Sequence, residues 1–80
     1  MLIPRFLPNG AEIIKLSYSA LTNDGVVLAR LEKACHNQYV TWRFESNNLA
    51  STYSGNYYGS PESDGNLDLL DAQIDFRARS

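Results

Sequence analysis

The chain has 80 residues and a mass of 9.0 kDa, which allows one small domain with a thin core. Seven basic and nine acidic residues give a net charge of −2, which excludes a protein that coats nucleic acid by charge alone. One cysteine, Cys35, excludes an internal disulfide, and no apolar run is long enough for a transmembrane helix or a signal peptide. We therefore expect a cytoplasmic protein that makes no contact with a membrane.

Turn-forming residues divide the chain, and they cluster at residues 8–10, 23–25, 46–48 and 59–61. Residues 1–9 are apolar apart from one arginine and contain Pro4, so they predict an extended arm. Residues 10–22 fit two interpretations. An alternating apolar pattern, as in a strand, is formed by Ile14, Leu16, Tyr18 and Ala20. A polar helical stripe is formed by Glu12, Lys15, Ser19 and Thr22, and Asn9 stands at capping distance before it. We favour the helix.

Three strands are predicted next, at residues 26–33, 39–45 and 50–58, and their short connections favour an antiparallel β-meander. In the second strand Val40, Trp42 and Phe44 alternate with polar residues, so this trio should face the core. In the third strand, the residues expected to share one side are Tyr53, Gly55 and Tyr57.

Residues 67–79 predict a C-terminal helix, because acids crowd its first turns while Arg77 and Arg79 close it. The predicted fold is a single α+β domain: a three-stranded meander with this helix packed on one face, preceded by the N-terminal helix. We expect one core, made of Val27, Ala29, Leu31, Val40, Trp42, Phe44, Tyr53, Leu69, Ala72 and Phe76.

The C-terminal helix carries two apolar stripes. At about 100° per residue, Leu69, Ala72 and Phe76 lie on one side. The nearly opposite side carries Leu67, Leu70, Ile74 and Ala78. A sheet covers only one stripe, so the second is covered either by the N-terminal part of the same chain or by another chain. We favour a homodimer, because an 80-residue chain has little core of its own.

No catalytic, cofactor or metal site is predicted. Cys35 and His36 are adjacent in sequence, which seldom produces a catalytic dyad or a converging ligand set. An acidic stripe along the last helix is formed by Asp68, Asp71 and Asp75, which a solvated surface with Asp75 paired to Arg79 explains as well as a cation site. Residues 46–80 hold two arginines against five acids, so this part of the chain could present an acidic face to a basic partner.

A single-stranded nucleic-acid binder is the alternative function. Aromatic and basic side chains on a sheet face suit base stacking and phosphate pairing. The candidates for such a face, directed away from the core, are Arg30, Tyr39, Arg43 and Tyr58. Two acids, Glu32 and Glu45, would share it, which favours ordinary cross-strand pairing instead.

Several sequence runs resemble a family of short bacterial proteins of plasmids, phages and other mobile elements. The matching residues are Tyr39-Val40-Thr41-Trp42-Arg43, then Gly55-Asn56-Tyr57-Tyr58, and finally Leu69, Ala72, Asp75-Phe76-Arg77 and Arg79. They correspond to the family's Tyr-Val-Thr-Trp-like strand, its Trp-Gly-His-Tyr-like strand and its Leu-x-x-Ala-x-x-x-Phe helix. The third strand lacks the family's histidine, and the outer helix face is more apolar. The resemblance implies a fold and a bacterial mobile-gene setting, and it transfers no catalytic residue.

The sequence therefore predicts a small non-enzymatic interaction protein that acts as a homodimer or binds another protein. Nucleic-acid binding is the competing class. An enzyme built around Cys35 and His36 is the third hypothesis.

Overall fold

The computed structural model describes residues 4–45 and 48–80, which form an antiparallel sheet followed by one helix. The elements are β1 (Glu12–Ser19), β2 (Asp24–Glu32), β3 (Asn37–Glu45), β4 (Thr52–Tyr58) and α1 (Gly65–Arg79). Consecutive strands are neighbours throughout, in the order β1-β2-β3-β4. The α+β class, the meander and the C-terminal helix are confirmed. The sheet has four strands rather than the predicted three.

The predicted helix at residues 10–22 is wrong, because this segment forms β1. Its backbone pairs with β2 from Glu12 to Ser19, with a bulge at Ile14 that shifts the register by one residue. The bulge brings Ile13 and Leu16 to the same side of the sheet, where both pack on the core. Asn9 does not cap a helix: its side-chain Oδ1 accepts a hydrogen bond from the Ala11 amide at 3.0 Å, which closes a turn before the strand.

β2 is buried on both faces of the sheet. Val26 and Leu28 point to the face that α1 covers, which we call the helix face. Val27 and Ala29 point to the opposite face, where Leu7 and Ala11 cover them. We call this the arm face, because these two residues belong to the segment before β1. Within the predicted arm, residues 1–3 lie outside the described residues.

The expectation of a single core is wrong, because the predicted residues divide between the two faces. Trp42 and Phe44 are buried on the arm face, whereas Ala72 and Phe76 of α1 pack on the helix face. Leu31 and Leu69 are half-buried at the margins. The cause is the uninterrupted apolar run of β2, which offers side chains to both faces and so supports one layer on each.

A bulge in β4 separates residues that were predicted to share a side. The register shifts between Thr41 and Arg43 of β3, where Ser54 has a positive φ of 54°. Tyr57 stays on the arm face, with its ring edge-on to Trp42 at 6.0 Å. Tyr53 instead pairs with Arg43, lies exposed on the helix face and is absent from the core. One extra residue reverses the alternation of every residue before it.

Gly25 leaves room for an aromatic pair on the arm face. It lies in β2 between Tyr18 of β1 and Phe44 of β3 in the cross-strand register. The two rings stack across it with centroids 6.1 Å apart and planes 11° from parallel. A Cβ atom at this position would approach Phe44 Cζ to 2.5 Å and would also meet the Ser17 carbonyl oxygen. The missing side chain therefore allows the two rings to meet.

We expect Gly25→Ala to lower the free energy of unfolding by about 1–3 kcal/mol, because the buried Phe44 ring and a backbone oxygen must both move. Urea titration measures the change. Gly65→Ala is the matched control, since a Cβ atom there meets nothing within 4 Å. That variant should change stability by less than about 1 kcal/mol. Equal effects of the two substitutions would contradict the packing described for Gly25.

Candidate functional site

The outward side of α1 carries exposed apolar side chains. Leu67, Leu70 and Ile74 are 58%, 50% and 56% exposed, and Ala78 beside them is exposed as well. We call these four residues the outer stripe. The helix begins at a defined cap, because the Asp64 carboxylate accepts hydrogen bonds from the amides of Asn66 and Leu67 at 2.8 and 3.4 Å. Arg77 and Arg79 in the last turn complement the helix dipole.

The outer stripe is not covered by the described part of the chain. The sheet covers the opposite side of α1, through Ala72 and Phe76. The segment before β1 packs Leu7 and Ala11 on the arm face, on the far side of the sheet from α1. The interpretation that the N-terminal part of the same chain covers the outer stripe is therefore wrong for residues 4–11. The two layers occupy different faces because β2 buries side chains on both.

A polar cluster beneath the C-terminal half of α1 fixes how the helix sits on the sheet. Asp75 Oδ2 accepts hydrogen bonds from Thr41 Oγ1 at 2.6 Å and from Asn56 Nδ2 at 2.9 Å. Arg79 Nε lies 3.7 Å from Asp75 Oδ1. The guanidinium of Arg79 also donates to the carbonyl oxygens of Ser54 at 2.6 Å and Thr41 at 3.4 Å. Helix, bulge and central sheet are thereby joined by one network.

The surroundings of this cluster shift the pKa values of Asp75 and Tyr58. Burial raises the pKa of the Asp75 carboxyl, but hydrogen bonds from Thr41, Asn56 and Tyr58 and the charge of Arg79 together outweigh it, so the pKa lies below its ordinary value. Burial, followed by the hydrogen bond to Asp75 and the negative charge of Asp75, raises the pKa of Tyr58. The carboxylate is thus held ionised at neutral pH. This is the form that accepts hydrogen bonds from all its neighbours.

The sequence did not reveal this cluster. The Asp75–Arg79 pair was expected and is present, but Asp75 faces the sheet, so its assignment to a solvated stripe is wrong. Asp68 accepts a hydrogen bond from Ser63 Oγ at 2.6 Å, while Asp71 is exposed. One signal was available. Thr41 is a polar residue between Val40 and Trp42, and a fully buried hydroxyl requires a partner.

The four residues proposed for nucleic-acid binding do lie on one face, but it is the helix face. Tyr39 and Tyr58 are cross-strand neighbours, and both are half-buried against the apolar residues between the helix face and α1. Arg30 Nη2 pairs with Glu12 Oε1 at 2.9 Å. The expectation that this face points away from the core is wrong, because α1 packs on it. Arg43 lines a polar pocket of about 180 Å³ at the end of α1, together with Ser17, Ser19, Thr22, Asp24, Gly25, Val26, Arg79 and Ser80.

The remaining candidates lie in the turn between β2 and β3. Cys35 is exposed and His36 is half-buried, with no partner for the buried Nδ1 atom in the described structure. Within residues 4–45 and 48–80, no three His, Cys, Asp or Glu side chains gather as metal ligands would. Over the same residues, no helix has both the length and the apolar character needed to cross a membrane.

Comparison with known proteins returned no match to a family model, to a curated protein or to a solved structure. The resemblance to mobile-element proteins therefore stays a prediction.

We expect Asp75→Asn to lower the free energy of unfolding at pH 7 by about 1–3 kcal/mol, because the new amide faces the Asn56 donor and loses the charge beside Arg79. The folded-state pKa of Asp75 is depressed below 3.8. Its stabilising contribution is therefore present at neutral pH and is lost as the pH falls through the folded-state pKa.

Urea titrations across the acid range should accordingly show the difference between wild type and variant shrinking below about pH 4. Asp71→Asn, the same change at the exposed acid one turn earlier, is the control. This variant should change the free energy of unfolding by less than about 0.5 kcal/mol, both at pH 7 and below about pH 4. A pH-independent loss in Asp75→Asn would contradict the ionised state assigned to Asp75.

Proposed function

We propose that this chain is a small protein-interaction module that forms a homodimer through the outer stripe of α1. The observation that carries the proposal is the exposure of Leu67, Leu70 and Ile74 side by side on a helix whose other side is already buried. Both sheet faces have their own cover, so no described element of the same chain is left to bury these side chains. Contiguous exposed apolar side chains with polar margins are typical of interaction surfaces.

The free energy available from the stripe favours a second copy as its partner. Burying the exposed half of a leucine or isoleucine gains about 1 kcal/mol. A symmetric contact uses every residue twice, so two copies gain roughly 6 kcal/mol from six side chains, against an association cost of at least about 4 kcal/mol. Against a polar partner, only the three side chains of one copy would be buried, so the gain in free energy would be half as large. The association cost offsets most of the roughly 6 kcal/mol and leaves about 2 kcal/mol at most, so the expected dimer is weak, with a dissociation constant in the millimolar range or above.

The margins of the stripe suit the rim of an interface. Asp71 flanks it on one side, and Asn66 and Arg77 flank it on the other; all three are exposed. Charged and amide groups at the edge of an apolar centre remain partly hydrated on association and therefore cost little. The centre at Leu70 and Ile74 holds no charged atom, so its burial leaves no unpaired charge.

We expect sedimentation equilibrium between about 50 μM and 5 mM to show a monomer–dimer equilibrium for the wild type and a monomer for Leu70→Glu/Ile74→Glu. Four buried glutamates would face one another in the variant dimer, which is strongly unfavourable. Because both residues are at least half exposed, the variant should fold with nearly wild-type stability, which circular dichroism and urea titration verify.

Leu21→Glu is the matched control, since Leu21 is 98% exposed in the turn between β1 and β2 and does not belong to the outer stripe. The same chemical change there should leave the dimer intact. A wild-type monomer at the highest concentration would refute the proposal. So would a folded Leu70→Glu/Ile74→Glu variant that still forms the dimer.

A further inference from the structure

β4 is an open edge of the sheet. β3 pairs with it on one side, and no backbone hydrogen bond from elsewhere in the described residues reaches its other side. The opposite edge is partly covered, because the Ile13 amide of β1 donates to the Arg5 carbonyl oxygen at 2.9 Å and Phe6 bridges to Glu12. In the described residues β4 therefore has no backbone cover, whereas β1 is covered at Glu12 and Ile13 and is open beyond them.

The first half of β4 is protected against unwanted strand pairing, and the second half is not. Natural edge strands avoid unwanted pairing through charged residues, prolines or bulges. β4 contains no charged residue and no proline. Its bulge at Ser54 twists the first half of the strand, and Arg79 occupies the Ser54 carbonyl oxygen. The regular half, from Asn56 to Tyr58, has no such device.

The flank of α1 that lies beside this open half is acidic. Asp75 reaches Asn56, and the charge of Asp71 acts on Tyr58, which places both acids on the β4 side of the helix. Asp75 is paired with Arg79. Asp71 is exposed and forms no ion pair with any described cation, so its charge is uncompensated. The open edge of β4 and this acidic flank lie side by side on the surface.

A second copy does not fit this edge. Antiparallel pairing of two β4 strands requires a twofold axis perpendicular to the sheet, which places both α1 helices on the same side of the joined sheet. Their acidic flanks would then face each other across the seam, with Asp71 opposite its own copy. Opposed like charges destabilise such pairing, so the flank acts against self-association at this edge.

We propose that the open edge of β4, beside the acidic flank of α1, binds an extended basic peptide, which adds to the sheet as a fifth strand. Its backbone would pair with Asn56–Tyr58, as in other domains that bind a peptide at a sheet edge beside a helix. Alternate side chains would point to the helix face, where lysine or arginine meets Asp71. The others would point to the arm face beside Tyr57, which is 56% exposed there and favours apolar or aromatic residues. This surface shares only Asp71 with the margin of the outer stripe.

The test uses the full chain and a labelled peptide of about ten residues that alternates valine with lysine, followed by fluorescence anisotropy at low salt. A valine–glutamate peptide should bind at least tenfold more weakly, because its charges oppose Asp71. A valine–lysine peptide with N-methyl groups on alternate amides should also bind at least tenfold more weakly, since it keeps the charge but loses backbone donors. Amide exchange should slow within Asn56–Tyr58, at the amides that point to the open edge, when the unmethylated peptide is bound.

Asp71→Lys should weaken binding of the valine–lysine peptide about tenfold, and Glu62→Lys, the same charge change in the loop before α1, should weaken it less than about twofold. Both acids are exposed, so both variants should fold. Equal binding of the methylated peptide, equal effects of the two variants, or no binding by any peptide would overturn the proposal. Concentration-dependent protection of Asn56–Tyr58 without peptide would overturn it in favour of a second copy.

Discussion

The fold depends on the burial of β2 on both faces of the sheet. Val26 and Leu28 require cover on one side, and Val27 and Ala29 require it on the other. A small chain can bury four consecutive apolar residues of a strand only by placing one layer on each face. The segment before β1 supplies one layer and α1 supplies the other. The positions of the arm face, the helix face and the outer stripe follow from this division.

Within residues 4–45 and 48–80, no second layer lies above the helix. Its inner side is fixed by Ala72 and Phe76 and by the hydrogen bonds of Asp75, which would lose their geometry if α1 rotated or slid. The outer stripe is therefore held in one orientation toward solvent. The same network directs the acidic flank of α1 toward β4, so the apolar and acidic surfaces of one helix are presented in separate directions.

Much of the fold was predictable from local pattern. Alternation located β3, turn clusters located the ends of β2 and β4, and the asymmetry of charge along the last segment located α1. The outer stripe followed from helical geometry alone, and its residues are indeed those left exposed. β1 was assigned to a helix because residues 10–22 satisfy both periodicities. The choice is made by pairing with β2, which supplies backbone partners outside the segment itself.

The sequence by itself determined which residues are apolar, roughly where β2, β3, β4 and α1 lie along the chain, and which side of the helix is surplus. Tertiary structure alone decided which sheet face receives α1, because β2 is apolar on both sides and gives no preference. It also decided that Tyr53 leaves the core, since one bulge residue at Ser54 reverses the alternation. The 80-residue length, which limits the core to two thin layers, explains why surplus apolar surface remains on α1.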